Sequence, residues 1–94
     1  MKAHIQKMEV QLKVWETTIE KLAAKAEKAR GQGRIDFQYH VDDLKARRAL
    51  ALVRLSEFRA ASAASMEKRE DFKARLEIAW TELEAAFKAL GLHP

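Results

Sequence analysis

Ile5, Met8, Leu12, Trp15, Ile19, Leu22, Ala26 and Ala29 follow one another at alternating gaps of three and four residues. A seven-residue apolar repeat kept without a miss over about 25 residues specifies a helix with one narrow apolar seam. Such a helix is apolar on one side only, so another apolar face has to cover it. Everything else in the chain is read as a possible cover.

Two later stripes supply one. Phe37, Val41, Leu44, then Ala51 or Leu52, Leu55 and Phe58 form the second. Leu50, Leu52 and Val53 widen its apolar face, as suits a helix touching two neighbours. Arg48 falls on a strict seam position, where its stem can cover the core while the head reaches water. Phe72, Leu76, Ala79, Trp80, Leu83, Ala86, Phe87 and Leu90 form the third. Glu9–Lys13, Asp43–Arg47, Asp71–Arg75 and Glu84–Lys88 are i,i+4 pairs of opposite charge along the helices. With three Gly, one Pro and few β-branched residues, the composition favours long helices and leaves strands without material.

The boundaries differ in strength. Gly31-Gln32-Gly33 follows Lys25, Lys28 and Arg30, and a glycine after a basic last turn is a helix stop. Asp36 then serves as N-cap or first-turn acid of the next helix. Ser62 or Ser65 can cap a third helix with Glu67 and Glu70 in its first turns, although the seam stays in phase through Ser62, Ser65, Arg69 and Phe72. Gly91 with Leu92 after it has the form of a Schellman stop, and Pro94 follows. The expectation is an all-α, elongated up-down-up three-helix bundle of coiled-coil type, one helical domain over 1–94 with helices at about 2–30, 35–61 and 65–90. The alternative is long helices running through Gly31 or Ser62 that close by dimerisation.

The expected core is Leu12, Trp15, Ile19, Leu22, Leu44, Leu55, Phe58, Phe72, Leu76, Trp80, Leu83 and Phe87. In an up-down-up bundle the first and third helices run parallel, so Trp15 and Trp80 share a layer over small Ala46, Ala49 and Ala51. Met8, Phe58 and Phe72 gather towards one end. Ala26 and Ala29 face Phe37, Phe87 and Leu90 towards the other.

Chemistry is sparse. The chain has no Cys, which removes disulfides, thiolate nucleophiles and Cys-based metal sites. Asp36, His40 and Asp43 share a helical face at i, i+4 and i+7, but no Glu-x-x-His motif of the di-iron bundles accompanies them. A solvated acidic face with a loosely paired His is the plainer reading, and no cofactor or metal is expected. His4 and His93 lie near the termini. Glu16 and Glu20 are a like-charge i,i+4 pair without an evident dry cleft, and the hydroxyls of Thr17, Thr18, Ser56, Ser62, Ser65 and Thr81 show no His/Asp partner pattern. Gly31-Gln32-Gly33 lacks the third glycine and preceding strand of a phosphate loop. An enzyme is not expected, nor is a small-molecule substrate.

The net charge of +4 comes from 18 basic and 14 acidic residues. It splits as seven basic and four acidic over 1–33, six and four over 34–61, and five and six over 62–94, so no segment concentrates it. Arg47, Arg48, Arg54 and Arg59 enrich the middle helix, but a dedicated nucleic-acid surface clusters its cations more tightly. Gln6, Lys7 and Glu9 interrupt any opening apolar run, so no secretory signal is expected. No stretch approaches the roughly 20 apolar residues of a membrane span, and a cytoplasmic location is the default.

Met8 to Glu16 and Ile19 to Ala29 resemble the opening of small bacterial coiled-coil proteins of uncharacterised function, and Ala79 to Phe87 is similar to their closing helix. The likeness covers about half the chain. It implies a cytoplasmic, bacterial helical protein and carries no catalytic residues. The expected role is non-enzymatic: an interaction or scaffold protein that packs with itself or with a helical partner. Leu50, Val53, Val10 and Val14 lie off the seams and could pair bundles. A peripheral lipid-binding protein with amphipathic helices is the alternative, and nucleic-acid binding a weaker one.

Overall fold

A computed structural model of the protein describes residues 2–61 and 66–91. Three helices account for nearly all of them: α1 (Lys2–Lys28), α2 (Gln32–Ala61) and α3 (Met66–Ala89). The molecule is a rod of 52 × 20 × 18 Å. At 1.5 Å per residue the 30 residues of α2 span about 45 Å, so the rod is little longer than one helix. The chain is therefore folded back on itself at both connections.

Glycine makes the first reversal. α1 stops at Lys28, with Lys25 and Lys28 on its carbonyl end, and Gly31 takes φ +70°. That left-handed conformation costs a side chain roughly 1–2 kcal/mol and glycine almost nothing. One residue later the next helix has begun, three residues earlier than the expected 35, and the Arg34 amide donates to the Gly31 carbonyl at 3.2 Å. Gly33 thus lies inside α2, and Asp36 is its fifth residue rather than its cap. Asp36 instead accepts a hydrogen bond from Gln32 Nε2 at 3.2 Å. The second reversal falls between the end of α2 at Ala61 and the start of α3 at Met66, and the capping expected of Ser62 or Ser65 lies outside the described residues. Gly91, at φ +75°, stops α3 as expected, its amide donating to the Lys88 carbonyl at 2.9 Å. The Leu92 contact and Pro94 also lie outside the described residues.

Cross-helix contacts set the topology. Glu9 meets Arg59 and Glu16 meets Arg48, so α1 and α2 run antiparallel. Arg47 meets Glu82, while Arg54 and Arg75 line one groove, so α2 and α3 are antiparallel too. α1 and α3 are then parallel, and the Trp15 and Trp80 ring centroids lie 4.8 Å apart. This is the up-down-up three-helix bundle, with Trp15 and Trp80 in one layer.

The packing is unequal. Among the described residues no Cα of α1 comes within 8 Å of a Cα of α3, whereas α2 approaches both neighbours closely. Small buried residues, Ala26, Ala51, Ala61 and Ala79, accompany the close approaches. Trp15, Trp80 and Phe87 fill the wider gap, with Trp15 and Phe87 stacked at 5.5 Å. Of the expected core, Leu12, Trp15, Ile19, Leu22, Leu44, Leu55, Phe58, Leu76, Leu83 and Phe87 are buried. Phe72 and Trp80 are half-buried and pack against that cluster. Val41 joins the core at 0 % exposure.

Two expectations about α2 fail together. Ala46 and Ala49 do not floor the Trp15 layer; both are exposed, and only Ala51 faces inward. Leu50, Leu52 and Val53 do not widen the core either, being 40 %, 43 % and 52 % exposed. At about 100° per residue, Ala46 and Ala49 lie on the side of the helix opposite Leu44, while Ala51 returns almost above it.

Candidate interaction surface

Charged side chains lock α2 between its neighbours. Arg48, on the buried seam between Leu44 and Ala51, does not simply extend into water. Its Nε donates to the carbonyl oxygen of Leu12 at 2.8 Å, and its Nη2 reaches Glu16 Oε2 at 3.1 Å. The Leu12 carbonyl is mid-helix, and a carbonyl oxygen has a second lone pair for such a donor. Arg59 Nη1 lies 2.6 Å from Glu9 Oε1, so Glu9 reaches across to α2 rather than along its own helix to Lys13. On the other side Arg47 bonds Asp43 at 2.9 Å and lies 3.6 Å from Glu82. The hydrogen bond and charge of Asp43 hold the Arg47 guanidinium above its ordinary pKa, with Glu82 adding to it, so it is a fixed positive charge. The Arg47–Glu82, Arg48–Glu16 and Arg59–Glu9 pairs have the same sense: α2 gives the Arg and a flanking helix gives the Glu.

Grooves run along both seams of α2. That between α2 and α3 holds about 460 Å³ where Tyr39, His40 and Arg47 face Ala85, Ala86 and Leu90. That between α1 and α2 holds about 420 Å³, floored by Leu12, Leu52 and Leu55 and bridged by the Arg48–Glu16 and Arg59–Glu9 pairs. Both are open troughs, not enclosed sites.

Among the described residues, those singled out for chemistry do not assemble; His93, Ser62 and Ser65 lie outside them. Asp36 is engaged by Gln32, Asp43 by Arg47, and His40 sits edge-on to the Tyr39 ring at 6.0 Å. Among the described residues no group of three or more His, Asp or Glu is placed to hold a metal ion. Glu16 pairs with Arg48, while Glu20 lies in a small groove with Lys45 and Arg48. Thr17 and Thr18 donate to the carbonyls four residues before them in α1.

What remains is surface, and it is not uniform. α2 carries five of the exposed large apolar side chains: Ile35, Tyr39, Leu50, Leu52 and Val53. With exposed Ala46 and Ala49 they give its outward side an apolar character that its buried side already has. Ile78 of α3, 61 % exposed, extends the patch across the groove it shares with Leu50. Ile35 and Tyr39 escape a reading that follows a single stripe per helix. The signal that finds them is a second seven-residue repeat on the same helix.

α1 is different. Glu9 and Glu16 turn towards α2, with Glu20 in the groove beside them, while exposed Val10 and Val14 share the outer side with Lys7, Lys21, Lys25 and Lys28. No helix among the described residues is long and apolar enough to cross a membrane. No known protein family, curated protein or solved structure matches this chain.

Proposed function

We propose that this is a non-enzymatic helical interaction protein that works by offering the outer face of α2 to another helix. The observation carrying this reading is the outward apolar patch centred on Ala49, Leu50 and Val53. A surface helix normally gives one stripe to the core and a polar face to water. An uncovered patch of this kind marks a docking surface. A cytoplasmic location is part of this reading.

Site-specific photo-crosslinking in cells tests it. A crosslinker at Val53 is expected to capture a protein adduct that the same group at exposed Thr81 on α3 does not. No adduct at Val53 above the Thr81 background rejects the reading.

A second reading rests on the outer side of α1, where four Lys flank Val10 and Val14 without ion pairs among the described residues. That side suits the surface of an anionic membrane. Flotation with anionic vesicles tests it, and Lys21→Glu/Lys25→Glu should abolish co-flotation. No flotation of the unaltered protein eliminates it.

A further inference from the structure

The outer side of α2 carries a seam of its own. From Ile35 and Tyr39 through Ala46, Ala49 and Val53 to Ala60, apolar residues fall on alternating gaps of three and four, with Asp42 and Ser56 as the polar steps. The bundle leaves this seam uncovered: Ile35 is 62 %, Tyr39 71 % and Val53 52 % exposed. We infer that it is a homodimer interface, in which α2 packs in parallel against α2 of a second copy. The inference rests on the interaction-protein reading and names its partner.

The seam is matched to itself. A stripe of period 3.5 stays in contact only with a helix of the same period, which α2 of a second copy provides in full. Ala46 and Ala49 let two backbones come close at the centre, and Leu50, Leu52 and Val53 close over them. A two-fold pairing of one face with itself is closed and stops at a dimer.

Charge selects the direction. The flank towards α3 repeats every seven residues as Asp36, Asp43, Leu50 and Glu57. The flank towards α1 repeats as Gln38, Lys45, Leu52 and Arg59. Flanking charges of this kind decide orientation in coiled coils. In a parallel pair Gln38 of each copy faces the partner's Asp43, Lys45 the partner's Leu50, and Leu52 the partner's Glu57, so no like charges meet along the flanks. In an antiparallel pair that brings the whole seam together Asp36 meets the partner's Glu57, twice by symmetry. The parallel pair has one like-charge contact on its seam, Asp42 against its own copy. Gln38 Nε2 donates to that carboxylate at 3.0 Å.

The dimer has a distinctive shape. Two rods side by side keep the 52 Å length and thicken the cross-section, unlike helices running through the turns, which would lengthen it.

Sedimentation equilibrium and small-angle scattering on the full chain test the inference. At high micromolar concentration the mass should be twice 10.8 kDa with the long dimension unchanged. Val53→Glu, at an exposed position, should keep the helical circular dichroism and weaken the dimer at least roughly tenfold. Asp42→Asn should tighten it. Because the chain has no Cys, Ile35→Cys should form an intermolecular disulfide readily in the parallel pair and not in an antiparallel one. A protein monomeric throughout, a dimer indifferent to Val53→Glu, a dimer about twice as long, or no Ile35→Cys disulfide in the dimer overturns the inference. If the chain is monomeric while a crosslinker at Val53 still captures a protein, another chain covers α2 and the broader reading stands. If that crosslinker captures nothing, both fall.

Discussion

Arg48 is the charged residue on the inner seam of α2, and its position decides what it does. A strict seven-residue count places it in the core, and the structure lays it across α1, between the Leu12 carbonyl and Glu16. The side chain is 19 % exposed and that of Glu16 51 %, so the ion pair is screened on one side and contributes about 0–1 kcal/mol. What the guanidinium adds is register, since its bond to one carbonyl fits one height of α1 against α2. Such polar seam residues are best attested as devices of registry. Arg48→Met, which keeps the stem, should therefore leave stability within about 1 kcal/mol or raise it in urea unfolding. A loss above about 3 kcal/mol would mean that the guanidinium itself holds the bundle together.

Trp15 makes the opposite case. Its indole is buried at 2 % exposure, and its Nε1–H donates to no acceptor among the described residues. The neighbouring Trp80 and Phe87 rings surround it with apolar surface instead. An unmatched buried donor costs about 1–3 kcal/mol, so here size outweighs polarity. Trp15→Ala should destabilise by about 3–5 kcal/mol in denaturant unfolding. Trp15→Phe removes the orphaned N–H along with some volume and should cost much less. Equal losses for the two variants would show that the N–H has a partner.

At the level of the element, the two glycines of the first turn should respond with opposite signs. Gly31 sits at φ +70° with open space around its Cα, so a methyl group there meets strain and no clash. Gly31→Ala should lower stability by about 1 kcal/mol. Gly33 is helical, also with open space, and Gly33→Ala should raise stability by up to about 0.5–1 kcal/mol. Thermal melts of the two variants check both, and matching signs would contradict the turn geometry. The same level shows what was legible in the chain. Stripes with their large residues are, because burying Leu, Trp and Phe is what makes a helix amphipathic. Which of several alanines faces inward is not, because Ala46, Ala49 and Ala51 differ by angle and not by chemistry. Nor does a glycine pair reveal which member reverses the chain; Gly31 does so, and α2 restarts earlier than Asp36 suggests. The outer seam of α2 was legible only in part: Leu50 and Val53 stand out, whereas Ile35 and Tyr39 belong to a repeat masked by the stronger one behind it.

Across the whole molecule, α2 is the element that both neighbours depend on. α1 and α3 approach it closely and touch each other mainly through large side chains in the Trp15 layer. Val41, Leu44, Ala51 and Leu55 are each at 0–2 % exposure along its inner side, so its backbone cannot open without parting both interfaces. The start of α3 is held far less: Met66 is 76 % exposed and Phe72 only half-buried. Local opening needs little buried apolar contact to be lost, and amides open at a free energy set by that loss. Native-state hydrogen exchange should therefore find amides of α2 between Val41 and Phe58 exchanging at the free energy of global unfolding. Those of α3 between Met66 and Phe72 should exchange faster through local fraying. Dilution separates this protection from any effect of self-association, because a property of the single bundle keeps the order of protection when concentration falls. Equal protection at the start of α3 and the middle of α2 would mean that α3 is held by contacts beyond those with α2, and the central place of α2 would be lost.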